Sequence, residues 1–286
     1  MLNNWFYSHS TWAVAFAVCF AVTVIPVIGL FIFHRLVPWE AREKDNVLCG
    51  MTYVLTGGVF AVVLAFVAIG TYESMDKSST IASNEANSLG GLAFDSAGLP
   101  PELGARVRAD VNAYIDIVTK KEWPSQQAYH MEESNYEEGW AQVRLISLDL
   151  ASFEPTTMGQ TTVKADMMDL TDDLFSARRA RLLAANAHLP NAVWQMLIFG
   201  LIMVSIYIYL FGPYNFKMHI TCTALTMISI GLVFALTISL DYPFRGQLSV
   251  DDDAYLGIKE VAARAFEPTA PVTAGEGHVV AEPKTR

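Results

Sequence analysis

The sequence predicts an all-α membrane protein: four transmembrane helices in two hairpins, with an extramembrane helical domain between the second and third. Three observations carry this. Four apolar blocks each reach the roughly 20 residues that a helix rising about 1.5 Å per residue needs to cross a hydrocarbon core of about 30 Å. Between the second and third blocks no apolar run approaches that length, yet apolar residues recur at helical spacing. Of the 286 residues, 52% are hydrophobic and only 17% charged, where soluble domains carry about a quarter charged residues.

The elements follow in order. The opening MLNNWFYSHS has no Lys or Arg and so lacks the basic start of a signal peptide. The block from Trp12 to Phe33 therefore reads as a retained span, with Pro26 and Gly29 tolerated inside it. A short charged linker (34–46) turns the chain into a second block, Val47 to Tyr72, which carries Gly57-Gly58. Residues 1–72 thus form the first hairpin. The third block is Ala192 to Phe211. Gly212-Pro213 stops it, and the fourth runs from Ile220 to Leu240, so that 192–240 is the second hairpin.

Residues 73–191 are the extramembrane domain. Val107, Val111, Ile115 and Val118 form one helical stripe, entered after Pro100-Pro101. Val163, Met167, Leu170 and Leu174 form another, on a helix running on through Ala177 and Leu182 towards Pro190. A third helix surrounds Trp140 to Phe153. The first and last helices of the domain are expected to continue the second and third spans. Residues 241–265 are a post-membrane segment whose AYLGIKEVAARAF reads as a helix. The tail 266–286, rich in Pro, Gly and Ala, reads as disordered.

Several function classes lose support. A net charge of −10 with no basic stripe argues against a nucleic-acid binder. Cys19, Cys49 and Cys222 all lie in or beside apolar blocks and form neither a disulfide framework nor a C-x-x-C pair. There is no nucleophile elbow, P-loop, dinucleotide fingerprint or zinc motif, so nothing argues for an enzyme. The span interiors hold no Asp, Glu, Lys, Arg or His. Coupled transporters and proton relays use such groups, and this class recedes too. His34 and His219 stand at span ends, as interfacial residues do.

An uncharged span is compatible with a pore, because hydrophobic constrictions gate by dewetting. Gly58, Val62, Phe66 and Ile69 share one face of the second span; a packing stripe against lipid or a neighbouring helix is the plainer account of the same periodicity. The run Asp251-Asp252-Asp253 is the one candidate metal site, of the chemistry that suits Ca²⁺. Equally, acidic residues favour the start of the helix that follows. His130 to Glu138 is acidic and reads as a solvated face. Asp172-Asp173 with Arg178, Arg179 and Arg181 reads as i,i+4 pairs and lipid-headgroup contacts. Charge asymmetry leaves orientation open: Arg35, Arg42 and Lys44 after the first span place the 34–46 linker in the cytoplasm, while Arg178, Arg179, Arg181 and Arg245 favour the opposite end.

Five stretches together resemble the bacterial bestrophin-like membrane family: EANSLGGL (Glu85 to Leu92), LPPELGARVRADVNAYIDIVTKKEWP, RRARLLAANAHLPNAVWQ, LFGPYNFKMH and LDYPFRGQLSV. More distantly the chain is similar to bestrophins, which have two hairpins of spans around a cytoplasmic helical domain. The resemblance implies a pentameric anion channel of the bacterial inner membrane, with no bound cofactor except Ca²⁺ at the acidic run. Its partners would be the lipid bilayer, small inorganic ions and further copies of itself. The pore neck would lie on the second span, where VLAF (Val63 to Phe66) is similar to the family's piece. That makes Gly58, Val62 and Phe66 neck positions, with Gly58 replacing a bulky gate residue. YPFRGQLSVDDDAY is similar to the family's calcium clasp but has an insertion before the acids. The alternative is a membrane sensor or scaffold whose helical domain binds a ligand or partner and which has no pore.

Overall fold

The computed structural model describes residue 7 and residues 9–128 and 133–266, and no strand occurs among them. Helix α1 (Thr11–Leu36) starts at Ser10, whose side chain accepts a hydrogen bond from the Ala13 amide at 3.2 Å and so satisfies one of the orphan N–H groups of a helix start. It runs through Pro26 without a break. A one-turn helix α2 (Trp39–Glu43) occupies the linker. Helix α3 (Asn46–Asp95) is 50 residues long, about 75 Å at roughly 1.5 Å per residue. It crosses the membrane and continues far beyond, as expected for the first helix of the extramembrane part.

After a 3₁₀ turn (Ser96–Gly98), α4 (Pro101–Ile117) leads through a π turn (Val118–Glu122) into α5 (Trp123–Gln127). The π turn has a local cause. Pro124 has no N–H to offer the helix, and its ring crowds the preceding carbonyls. One extra residue in the turn accommodates both, with the Trp123 N–H reaching back to the Val118 carbonyl. Helices α6 (Glu133–Ser152) and α7 (Met158–Ala184) complete this part. Helices α8 (Asn191–Leu210) and α9 (Phe216–Leu240) return to the membrane, and α10 (Asp253–Phe266) packs back on α3 and α4. Of these, α1, α3, α8 and α9 are long and apolar enough to cross a membrane.

One expectation fails. The third span does not continue the last domain helix: α7 ends at Ala184 and α8 begins at Asn191. Pro190 disfavours helical backbone at Leu189. The Leu189 N–H turns aside to the Asp241 carboxylate at 2.6 Å, which pins the break to the end of α9.

There are two cores. In the membrane half, Val14, Phe60, Leu64, Leu197, Val204, Met227 and Phe234 are buried together. Small residues set the closest helix approaches. Gly231 of α9 lies against the backbone of Cys19 in α1, where an added Cβ would stand 3.0 Å from the Cys19 Cα, and Gly200 of α8 lies under the Phe60 ring of α3. In the other half, Val107, Val111, Ile115 and Val118 are all buried, as the helical stripe requires. They meet Ile146, Leu150, Met167, Leu174 and Tyr255. The tail 267–286 and residues 130–132 of the acidic stretch lie outside the described residues.

Candidate functional site

The long helix α3 has two unlike faces. Phe60, Leu64 and Thr71 are buried against the subunit's own bundle. Gly58, Val62, Phe66 and Ile69 lie on the other side and are exposed, Phe66 at 70%. No heavy atom comes within 4 Å of a Cβ built on Gly58. The four positions expected from the sequence are therefore brought into one line, pointing away from the chain that carries them.

The opposite end of the spans is closed by a lock between the two hairpins. Arg42 of α2 is buried, and one guanidinium nitrogen donates to the carbonyls of Tyr209 and Phe211, each at 2.7 Å. These carbonyls end α8, so the cation sits at the negative end of that helix. Another of its nitrogens meets the His34 ring at 3.0 Å. Asn46 exchanges two hydrogen bonds with the backbone of Gly212. Gly212 is required here, because a Cβ would collide with the Trp39 carbonyl and the Glu43 amide.

Outside the membrane zone α3 is held by a buried charge network that sequence reading missed. Arg181 of α7 grips Glu85 of α3 with two hydrogen bonds, at 2.7 and 3.1 Å, and Glu122 of the π turn at 2.7 Å. Arg178 holds Glu122 through both oxygens at 2.6 and 3.1 Å and donates to the Tyr114 hydroxyl at 3.0 Å. That hydroxyl in turn donates to Glu85 at 2.5 Å. All four charged side chains have no solvent exposure. Two guanidinium groups against two carboxylates leave the cluster neutral, which is the condition for burying it. Burial pulls the Arg181 guanidinium down, but Glu85 and Glu122 more than offset this and leave it well above its ordinary value. Burial, reinforced by Glu85, holds the Tyr114 hydroxyl protonated.

This corrects the expectation for Arg178 and Arg181. Neither reaches lipid headgroups nor pairs with Asp172-Asp173, which are exposed. The signal was present: Met167, Thr171, Leu174, Arg178 and Arg181 follow each other at steps of four, three, four and three residues, so the arginines continue the buried stripe.

At the junction of the two halves, Asp241 accepts from the Leu189 N–H and from the Trp194 indole at 3.3 Å. Burial raises its carboxyl above the ordinary value of 3.8. Arg245 lies over the rings of Tyr7 and Tyr242, at 4.6 and 5.2 Å. Gly246, with φ of 85°, makes the turn that follows. The acidic run comes next. Asp251 and Asp253 are exposed, and the Asp252 carbonyl accepts from the amides of Tyr255 and Leu256, which places the run at the start of α10. The three carboxylates do not converge, and no group of three metal-ligating side chains occurs among the described residues.

Comparison with known proteins agrees with this architecture. A crystal structure of a membrane protein superposes with a TM-score of 0.61, covering 89% of this chain and 97% of that one at 12% identity, a likeness of fold. No curated protein matches the sequence. The model of the Bestrophin-like domain matches residues 20–255, from within α1 to the start of α10. The chain is a multi-pass membrane protein and belongs to the Bestrophin-like family.

Proposed function

We propose that the chain is one subunit of a homo-oligomeric channel that passes small inorganic ions across the membrane. In this reading α3 faces the shared axis, and Gly58, Val62, Phe66 and Ile69 form an apolar neck. One observation carries it: α3 uses one face for packing in its own subunit and leaves the other, from Gly58 to Asn87, exposed over both its apolar and its polar length. Lipid alone would account for the apolar part. Water would cover the polar part of a lone subunit; a ring of copies around an axis would use the whole face as one continuous pathway. A neck of this composition opens and closes by wetting and dewetting. Pentameric assembly and a bacterial inner-membrane location follow from the family resemblance.

The test is the purified full chain in planar bilayers. Selective current is expected, and Phe66→Ala, which removes the largest side chain of the neck, is expected to raise conductance or shift the open fraction. Absence of current under any ion gradient ends this reading.

A further inference from the structure

Where the spans meet the extramembrane part, a cavity of about 260 Å³ lies among Tyr7, His188, Asn191, Trp194, Asp241 and Tyr242. Tyr7 precedes α1, Asn191 and Trp194 belong to the first turn of α8, and Asp241 follows α9. The cavity therefore sits at headgroup depth, where Trp and Tyr side chains collect. Asp241 is 9% exposed. Its carboxylate takes one hydrogen bond on each oxygen, from the Leu189 N–H and the Trp194 indole, both neutral donors. A carboxylate offers about four lone-pair positions, so about half are left. The neighbouring groups do not fill them: the Tyr7 hydroxyl donates to the Ile238 carbonyl at 3.0 Å, and His188 Nδ1 meets the Leu189 carbonyl at 2.9 Å. Arg245 lies over the Tyr7 and Tyr242 rings, and among the described residues no basic side chain forms an ion pair with Asp241. The rim residues His188 and Asn191 are exposed. A buried anion with no cation in contact, beside an open cavity, is placed to receive one. A second cavity of about 260 Å³ opens between α1 and α8, lined by Val22, Ile25, Pro26, Leu201, Ile202 and Ser205. Leu201 and Ser205 follow Trp194 by seven and eleven residues. They share its face of α8 and lie about 10 to 16 Å deeper in the membrane.

We infer that this crevice binds a membrane phospholipid with a primary ammonium headgroup, the ammonium on Asp241 and an acyl chain in the groove between α1 and α8. The inference does not depend on the channel reading. Asp241 selects the headgroup by charge and by hydrogen bonding. A primary ammonium brings three N–H donors to the open lone pairs of the carboxylate, as a lysine does. A trimethylammonium head has no N–H and relies on aromatic faces, and Arg245 already lies over the rings of Tyr7 and Tyr242. An anionic head would meet a charge of its own sign. The apolar groove on the same face of α8 is what makes the occupant a lipid and not a dissolved amine: it gives the chain attached to that headgroup a place to lie.

The test is thermal denaturation of the full chain in detergent micelles at pH 7, titrated with dioleoylphosphatidylethanolamine, dioleoylphosphatidylcholine or dioleoylphosphatidylglycerol. A ligand of the native state raises the midpoint in proportion to its occupancy. The ethanolamine lipid is expected to raise it most, and free ethanolamine to leave it unchanged. Asp241→Asn should require about tenfold more of the ethanolamine lipid for the same rise, the effect of losing a hydrogen bond to a charged group. Asn191→Trp, at the exposed rim, fills the headgroup cavity without touching the carboxylate and serves if Asp241→Asn does not fold. Ile202→Trp, at an exposed position of the groove, should weaken the same lipid by blocking its chain. An equal rise with all three lipids, or an ethanolamine-lipid response untouched by Asp241→Asn and Asn191→Trp, overturns the inference. A full rise with free ethanolamine alone overturns the lipid as occupant.

Discussion

Arg181 and Glu85 stand 96 positions apart and meet at 2.7 Å with no solvent exposure on either side. The contact joins α7 to the extramembrane half of α3, the helix that also carries the candidate neck. Glu122 ties the same arginine to the π turn. The orientation of the exposed α3 face is thereby set by three helical segments around one neutral charge cluster. The 50-residue helix is continuous, so the extramembrane part and the membrane part share α3 as one element.

Removing one partner of this cluster should be costly. Arg181→Met takes from Glu85 its guanidinium partner and leaves a buried net negative charge. A loss of about 3–5 kcal/mol is expected, the usual cost of orphaning a buried ion. Arg181→Met with Glu85→Met restores neutrality, since Arg178 and Glu122 remain paired, and should recover most of the loss. Thermal denaturation in detergent reads both. Equal midpoints for wild type and Arg181→Met would show that the network carries no stability.

Gly139 should be intolerant of the smallest side chain. It lies in α6 where the network comes closest, and a Cβ there would run into the Arg178 guanidinium and the Glu122 carboxylate. Ala in place of Gly gains about 1 kcal/mol of helix propensity. Overpacking costs about 1–3 kcal/mol, and displacing a buried ion pair puts this site at the upper end. Gly139→Ala is therefore expected to lower the denaturation midpoint, and a raised midpoint would refute the close approach.

The spans and the helical stripes were legible in the sequence because each is a local pattern, readable within one element. Val107, Val111, Ile115 and Val118 announce a buried face by spacing alone. The charge network was not legible, because its members lie in four separate segments and pair only after the helices pack. Glu85 nevertheless shares a face with Ala82, Ala86 and Leu89, and a carboxylate on an apolar stripe is the mark of a buried partner. The break before the third span was missed for a related reason. Pro190 alone marks a helix end, whereas Asp241, more than 50 residues on, holds the chain in a turn there.

Stability should depend on pH through Asp241. Burial raises its carboxyl above 3.8, and the hydrogen bonds from Leu189 and Trp194 only partly oppose this. The native state then binds a proton more readily than the unfolded chain. Stability from this group is greatest at low pH and falls as pH rises from 3.8 through the raised native value. Asp241→Asn removes the titration and keeps one acceptor. The midpoint of wild type relative to Asp241→Asn should therefore shift in favour of wild type as pH is lowered from about 7 to 4. A constant difference over that range would show that Asp241 is not desolvated.

Topology can be checked without knowing the function. Arg42 holds the 34–46 linker against the end of α8, so that linker and the turn at 212–215 lie on one side of the membrane. The continuous α3 carries Asp76 to the other side. In a background with Cys19, Cys49 and Cys222 replaced, Lys44→Cys and Tyr214→Cys, both exposed, should react with a membrane-impermeant thiol reagent from the same face of the cell membrane. Asp76→Cys, also exposed, should react from the opposite face. Labelling of Lys44→Cys and Tyr214→Cys from different faces would contradict the lock between the hairpins. Labelling of Asp76→Cys from the same face as Lys44→Cys would mean that α3 does not cross. With orientation fixed in cells, the same reagents tell whether the extramembrane helical part lies in the cytoplasm, as the family resemblance implies, or outside, as the charges after the first span suggest.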